Sequence, residues 1–289
     1  MPEVTSTVVV GNGGVRLSVR VHPAPSSDAP GLLLHHGLAS SQRIWDRVVP
    51  CLTRRFRVVT FDARGHGLSA KPNRGYGFDH VTADALAVAR GTTLHRPIVV
   101  GHSWGAMVAL ELAARHPRSI AGSVLVDGGL LRMRDELDWT TAKERLAPPH
   151  LAGMPIEEFR GVMRTFLADA VDVTPDVEAQ VLSLMHLRRD GTIAPRLARS
   201  NHLRILRAIW EQDPLDLWAR VGVPTLAVVA HGPDADHDAR SRRAVARVRE
   251  ITRGRAVTIS WMRGIHDLPV QHPESLARRI ERFARSAVG

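Results

Sequence analysis

Short apolar runs alternate with amphipathic stretches along the first 129 residues. Val4–Val10 and Val15–His22 predict two strands, joined by Gly11-Asn12-Gly13-Gly14, a hairpin turn. Leu32–His35 predicts a short buried strand. Gln42–Thr53 predicts a helix, with Ile44, Val48, Val49 and Leu52 on one face, and Val58–Phe61 predicts the next strand. Asp79 is placed to cap a helix running to about Arg90. A strand at Ile98–Val100, a helix at Ala106–Arg115 ended near Pro117, and a strand at Ser123–Val126 follow. The rhythm returns at Thr225–Val229 and Val257–Trp261, with helices at about Ala239–Ile251 and Pro273–Ala284. Strands that alternate with helices predict an α/β fold: a mainly parallel, doubly wound sheet covered on both faces, with the opening hairpin antiparallel at one edge.

Residues 130–219 break this rhythm. They carry Pro148-Pro149, Pro155, Pro175, Pro195 and Pro214, with helical patterns at Glu157–Leu167, Asp176–Leu187 and Pro195–Trp210 and no convincing strand. The expected organisation is a core of residues 1–129 and 220–289, with 130–219 inserted as a helical cap over the sheet.

Composition narrows the partners. The 289 residues suffice for one large α/β domain with an insertion. The net charge of +10 raises nucleic-acid binding, but only Lys71 and Lys143 are lysines. The arginines are scattered, many on helix faces such as that of Arg240, Arg243 and Arg247, and no basic run is interleaved with aromatics. A nucleic-acid partner is therefore not expected. No apolar run is long enough for a bilayer, and Met1-Pro2-Glu3-Val4-Thr5 does not read as a secretory signal. The lone Cys51 excludes an internal disulfide, which fits a reducing cytoplasm. Neither a His-x-x-x-His pattern nor a cysteine cluster points to a metal, and no cofactor is expected. The expected partner is a small-molecule substrate.

The segment that carries chemistry is Gly101-His102-Ser103-Trp104-Gly105, between an apolar strand and a helix. A sharp strand-to-helix turn lifts the serine out at the carboxyl end of the sheet, and the flanking glycines remove side chains that would collide there. The helix that begins after Ser103 points its positive end at developing negative charge. Three further segments accompany it: His35-His36-Gly37-Leu38 after a strand, Asp62-Ala63-Arg64-Gly65-His66-Gly67-Leu68-Ser69 after the next, and Gly264-Ile265-His266-Asp267 after the last.

As a set, from about residue 31 to 285 less the insertion, these segments resemble the α/β-hydrolase family. The resemblance implies Ser103 as nucleophile and His266 as the base that takes its proton. It implies an oxyanion hole made of the backbone N–H groups of Leu38 and Trp104. The Asp62–Ser69 stretch then reads as structural, and His35 as a core residue. Family members carry the acid that orients the histidine after either of two strands. Here these positions hold Asp127, at the end of Val124-Leu125-Val126, and Asp234, in His231-Gly232-Pro233-Asp234. The second is out of register with the family's usual Gly-x-x-Asp, so Asp127 is preferred and Asp234 is the alternative. A serine at the nucleophile position argues against the epoxide hydrolases and haloalkane dehalogenases of this fold, which use aspartate there.

The expected reaction is hydrolysis of a medium-sized, apolar carboxylic ester or lactone through an acyl-enzyme. A thioesterase, a carbon–carbon bond hydrolase, a cofactor-free peroxidase-type activity and a small-ligand-binding protein stay as alternatives, because fold does not fix function. Trp45, His36 and Gly37 are the expected substrate contacts from the body, and Trp139 and Met163 those from the insertion. Met133, Met154, Phe159, Phe166, Met185 and Trp210 are further apolar candidates.

Overall fold

The computed structural model describes residues 4–26, 28–168, 170–232 and 234–288. Eight strands form one sheet: β1 (Thr5–Val10), β2 (Arg16–Val21), β3 (Gly31–His35), β4 (Arg57–Phe61), β5 (Ile98–His102), β6 (Gly122–Val126), β9 (Thr225–His231) and β10 (Val257–Arg263). Two more, β7 (Met185–Leu187) and β8 (Ile193–Pro195), pair separately. The order across the sheet is β1-β2-β4-β3-β5-β6-β9-β10. The β1–β2 and β2–β4 pairs are antiparallel, and every other pair of this sheet is parallel.

Side chains alternate between two cores, as the period-2 geometry of a strand requires. Leu33, Val59, Val99, Leu125, Ala227 and Val229 face one side. They pack there with the helices α2 (Phe78–Gly91), α3 (Trp104–Arg115) and α10 (Ala235–Ile251). Leu32, Leu34, Val58, Val100, Val124, Val126 and Val228 face the other, against α1 (Val49–Leu52), α11 (Leu268–Gln271) and α12 (Pro273–Val288). Strands buried on both faces cannot show polar alternation, which is why β3, β5 and β6 read as continuous apolar runs.

Between β6 and β9 lie α4 (Met133–Glu136), α5 (Trp139–Arg145), α6 (Ile156–Leu167), α7 (Pro175–Leu182), the β7–β8 hairpin, α8 (Arg199–Glu211) and α9 (Pro214–Trp218). The expectation of no strand in this segment is corrected by that hairpin. Its strands are three residues each, too short to show a period. It replaces the end of the helix expected over Asp176–Leu187, and the helix expected from Pro195 begins at Arg199. α9 packs on α3, and Trp218, fully buried, donates its indole N–H to the Gly129 carbonyl at 2.8 Å. The segment has thus rejoined the body before residue 219.

Two other elements differ from expectation. Gln42–Thr53 is a 3-10 turn, Gln42–Trp45, and then the four-residue α1, which begins at Val49-Pro50. α2 starts at Phe78 with Gly77 as N-cap, and Asp79 lies in its first turn. No helix among the described residues is long and apolar enough to cross a membrane.

Candidate active site

The carboxyl end of β5 and the loops after β3 and β10 meet at one cavity of about 300 Å³. Ser103 sits between β5 and α3 at φ 55° and ψ −115°, a region that L residues rarely adopt. Two backbone bonds frame this elbow: Ser103 N–H donates to the Val126 carbonyl at 2.9 Å, and Asp127 N–H donates to the Val228 carbonyl at 2.8 Å. The turn closes so tightly that a Cβ on Gly101 would run into the Gly105 carbonyl. One on Gly128 would strike the Ser103 carbonyl.

Asp127 leaves β6 with φ 47°, a left-handed conformation that aspartate tolerates better than most residues. Its Oδ2 lies 2.6 Å from His266 Nδ1, and its Oδ1 accepts the Ala230 N–H at 2.9 Å. Burial works against the Asp127 charge, but the His266 and Ala230 hydrogen bonds outweigh it and hold the carboxyl below the usual carboxylate range. Burial likewise opposes a charge on His266, and there the hydrogen bond and charge of Asp127, with Asp267 behind, prevail and raise its pKa above the ordinary histidine value. Because Nδ1 faces a carboxylate, it carries the hydrogen, and Nε2 is free as an acceptor. Ser103 and His266 line the same cavity, with no hydrogen bond between them among the described residues.

Asp234 is elsewhere. It is the N-cap of α10, where its Oδ1 accepts the His237 N–H at 2.9 Å. The structure brings Asp127, not Asp234, to His266; Pro233 lies outside the described residues.

Leu38 follows β3 and Trp104 opens α3, and neither backbone N–H has a protein acceptor among the described residues. The loop that holds Leu38 is fixed by neutral histidines. His36 donates from Nδ1 to the Gly37 carbonyl at 2.7 Å and accepts the Ala63 N–H on Nε2 at 3.0 Å. His66 donates from Nδ1 to the Arg64 carbonyl at 2.9 Å and accepts the Ala39 N–H at 3.3 Å. The His66 ring also stacks on Trp104, with centroids 5.3 Å apart. Burial pushes the pKa of His35, His36 and His66 down to about 3, so all three are uncharged near neutrality. Beneath them Asp62 accepts from the backbone N–H groups of Gln42 and Leu68, and Arg64 and Asp84 form a buried pair at 2.6 Å. The stretch read as structural therefore packs under the loop that bears Leu38.

Several expected substrate contacts are corrected. Trp45 is fully buried in the core under α1, because the Gln42–Trp45 turn points it inward. His36 is fully buried, and its hydrogen bonds tie it to the loops rather than to the cavity. Trp139 packs on Trp210 with Arg207 over both rings, away from Ser103. Met163 is buried on α6 and does not reach the cavity. Gly37 does line it; a Cβ there would sit 3.1 Å from that of Ser103. The apolar walls come instead from Ile44 and Val270 of the body and from Leu167, Val171, Val177 and Val181 of the insertion. Spacing on α6 and α7 marks such residues as buried, but not against what.

Sequence reasoning also passed over His102. Its Nε2–H donates to the His266 carbonyl at 2.9 Å, which ties the elbow to the loop of His266, and burial lowers its pKa to about 4. No group of three or more His, Cys, Asp or Glu among the described residues is arranged to hold a metal ion.

Residues 30–169 match the model of the α/β-hydrolase fold family. A non-heme chloroperoxidase of Streptomyces lividans is 27% identical over 279 residues, which cover 90% of this chain and 93% of that protein. A 2-(acetamidomethylene)succinate hydrolase of Mesorhizobium japonicum is 32% identical over 115 residues, and the match spans only 40% of the length of each chain. The crystal structure of an E-2-(acetamidomethylene)succinate hydrolase superposes with a TM-score of 0.78 at 21% identity, over 98% of this chain and all of the other. An enol-lactonase from Burkholderia xenovorans gives 0.68 at 19% identity, over 96% of this chain and all of the other. The chain has the α/β-hydrolase fold, with a mostly parallel sheet between two layers of helices.

Proposed function

We propose that the protein is a serine hydrolase that cleaves a medium-sized, apolar carboxylic ester or lactone through Ser103, His266 and Asp127. The observation that carries this reading is the hydrogen bond from His266 Nδ1 to Asp127 Oδ2, with His266 lining the same cavity as Ser103. His266 Nε2 takes the Ser103 proton as Oγ attacks the acyl carbon, and Asp127 stabilises the imidazolium that forms. The Leu38 and Trp104 N–H groups receive the oxyanion, each contributing on the order of 3 kcal/mol to the transition state. His266 then returns its proton to the leaving alkoxide. In the second half it draws a proton from water, which attacks the acyl-enzyme, and passes that proton to Ser103 Oγ as the C–Oγ bond breaks and the acid leaves. The apolar walls favour an acyl or alkoxy chain of several carbons over a small polar one.

The test is hydrolysis of a panel of 4-nitrophenyl esters and simple lactones by the protein and by Ser103→Ala. Turnover that disappears in Ser103→Ala supports the reading. Turnover that survives this substitution, or no turnover of any ester or lactone, sinks it and leaves carbon–carbon bond cleavage or ligand binding as the reading to pursue.

A further inference from the structure

A second, smaller cavity of about 110 Å³ adjoins the first, with Ala39, Ser40 and Leu184 as their common wall. Its character differs. The first is walled by aliphatic side chains, whereas the second holds the Arg196 side chain beside Pro148, Leu151, Met185 and Leu197. Arg196 follows β8, and its Nε donates to the Ser183 carbonyl at 3.1 Å, which fixes the side chain and leaves both terminal nitrogens of the guanidinium available. No carboxylate among the described residues pairs with it.

A second cation stands close by. Lys71 donates to the carbonyls of Gly67 and Ser69 at 3.0 and 2.9 Å, and Gly67 is part of the cavity wall. Burial lowers the pKa of Lys71, and the like charge of Arg196 lowers it further. The Asp62 carboxylate, which accepts from the Gln42 and Leu68 N–H groups, acts on Lys71 as an opposing charge. His202 and His66 also line the cavity; burial keeps both neutral, and each donates to a backbone carbonyl. An anion between the two cationic side chains would relieve the repulsion that Lys71 feels from Arg196. The planar guanidinium fork of Arg196 suits a carboxylate.

We propose that this second cavity is a carboxylate-binding subsite, so that the substrate is an ester or lactone whose far end carries a free carboxylate held by Arg196 in the field of Lys71. The proposal rests on the hydrolase reading of Ser103. It divides the substrate between the two cavities: the reacting acyl group and its aliphatic part against Ser103, and the anionic end beyond the partition of Ser40 and Leu184.

The experiment compares charged and neutral esters of matched length. Mono-4-nitrophenyl adipate is set against 4-nitrophenyl hexanoate, with the charge in the acyl half. The second pair, 3-carboxyphenyl acetate and phenyl acetate, places it in the leaving half. The quantity read is the ratio of kcat/KM within a pair, so any loss common to both esters cancels. The expected result is a preference of about tenfold or more for the charged member of one pair, the scale of one charge-assisted contact, falling to near parity in Arg196→Gln and partly restored in Arg196→Lys. No preference in either pair, or a preference that survives Arg196→Gln, overturns the subsite. If no ester is turned over, the hydrolase reading has failed, and binding decides the subsite separately. Calorimetry on Ser103→Ala with monomethyl adipate and methyl hexanoate should then show tighter binding of the acid that Arg196→Gln abolishes; equal or absent binding overturns it.

Discussion

Asp127 holds His266 with one carboxylate oxygen, at 2.6 Å, and spends the other on the Ala230 N–H at 2.9 Å. The carboxylate is thus fixed at both oxygens, and the imidazole plane is set by a group that cannot swing away. Asp127→Asn keeps the shape but presents an amide to Nδ1, which favours the wrong tautomer. We expect kcat to fall by about 10⁴-fold. Asp234→Asn should leave turnover and Tm unchanged, because asparagine caps a helix as well as aspartate does. Steady-state kinetics on the two variants decide; a large loss in Asp234→Asn would reverse the assignment.

The raised pKa of His266 fixes the direction of the acid limb. The base must be unprotonated, so kcat/KM should rise with pH through a midpoint above 6.5 and be lost below it. In Asp127→Asn the residual activity should show a lower midpoint, since the groups that raise the pKa are reduced to Asp267. A wild-type midpoint well below 6.5 would contradict the pairing.

Stability should respond to acid through different histidines. His35, His36 and His66 stay neutral in the fold down to about pH 3, whereas the unfolded chain protonates near 6.5. Their contribution is complete above that value and is lost as pH falls from about 6.5 towards 3, at ~1.4 kcal/mol per pH unit for each histidine. Urea unfolding at pH 8, 6 and 5 should show stability falling steeply between the last two. A flat profile would mean that these rings charge inside the fold.

Glycines separate by location. Gly128→Ala must displace the Ser103 backbone, and turnover should fall by at least about 100-fold, as misplacement of reacting groups by an ångström does. Gly161, on the exposed face of α6, has open space where a Cβ would go. Gly161→Ala should stabilise that helix by about 1 kcal/mol. Calorimetric Tm values paired with ester turnover check both.

The insertion sets the chain length of the substrate if its aliphatic residues form the wall. Val181→Phe narrows the 300 Å³ cavity, and the ratio of kcat/KM for 4-nitrophenyl hexanoate over acetate should fall by about tenfold or more. An unchanged ratio would move the acyl chain away from α7.

The sheet and the positions of the polar candidate site residues were legible in the chain because each has a local signature. β5 and α3 bracket Ser103 with a change of period from two to three or four, and Gly101 and Gly105 mark the turn that only they fit. His266 follows the last strand, and Asp127 ends an apolar run. The pocket was not legible. Trp45 and Val181 look alike as apolar residues on short amphipathic segments, yet one is in the core and the other lines the cavity. That distinction is made by how α6 and α7 lie over the sheet, which no spacing encodes. The β7–β8 hairpin escaped notice for a related reason: three residues per strand carry no periodicity.

The bond from Ala230 to Asp127 joins the ends of two adjacent parallel strands, β6 and β9, paired up to Val126 and Val228. Asp234 lies beyond the β9 end, and the β9 backbone itself serves as donor to Asp127 on β6. The setting of the His266 ring therefore depends on the pairing of two strands that carry neither Ser103 nor His266.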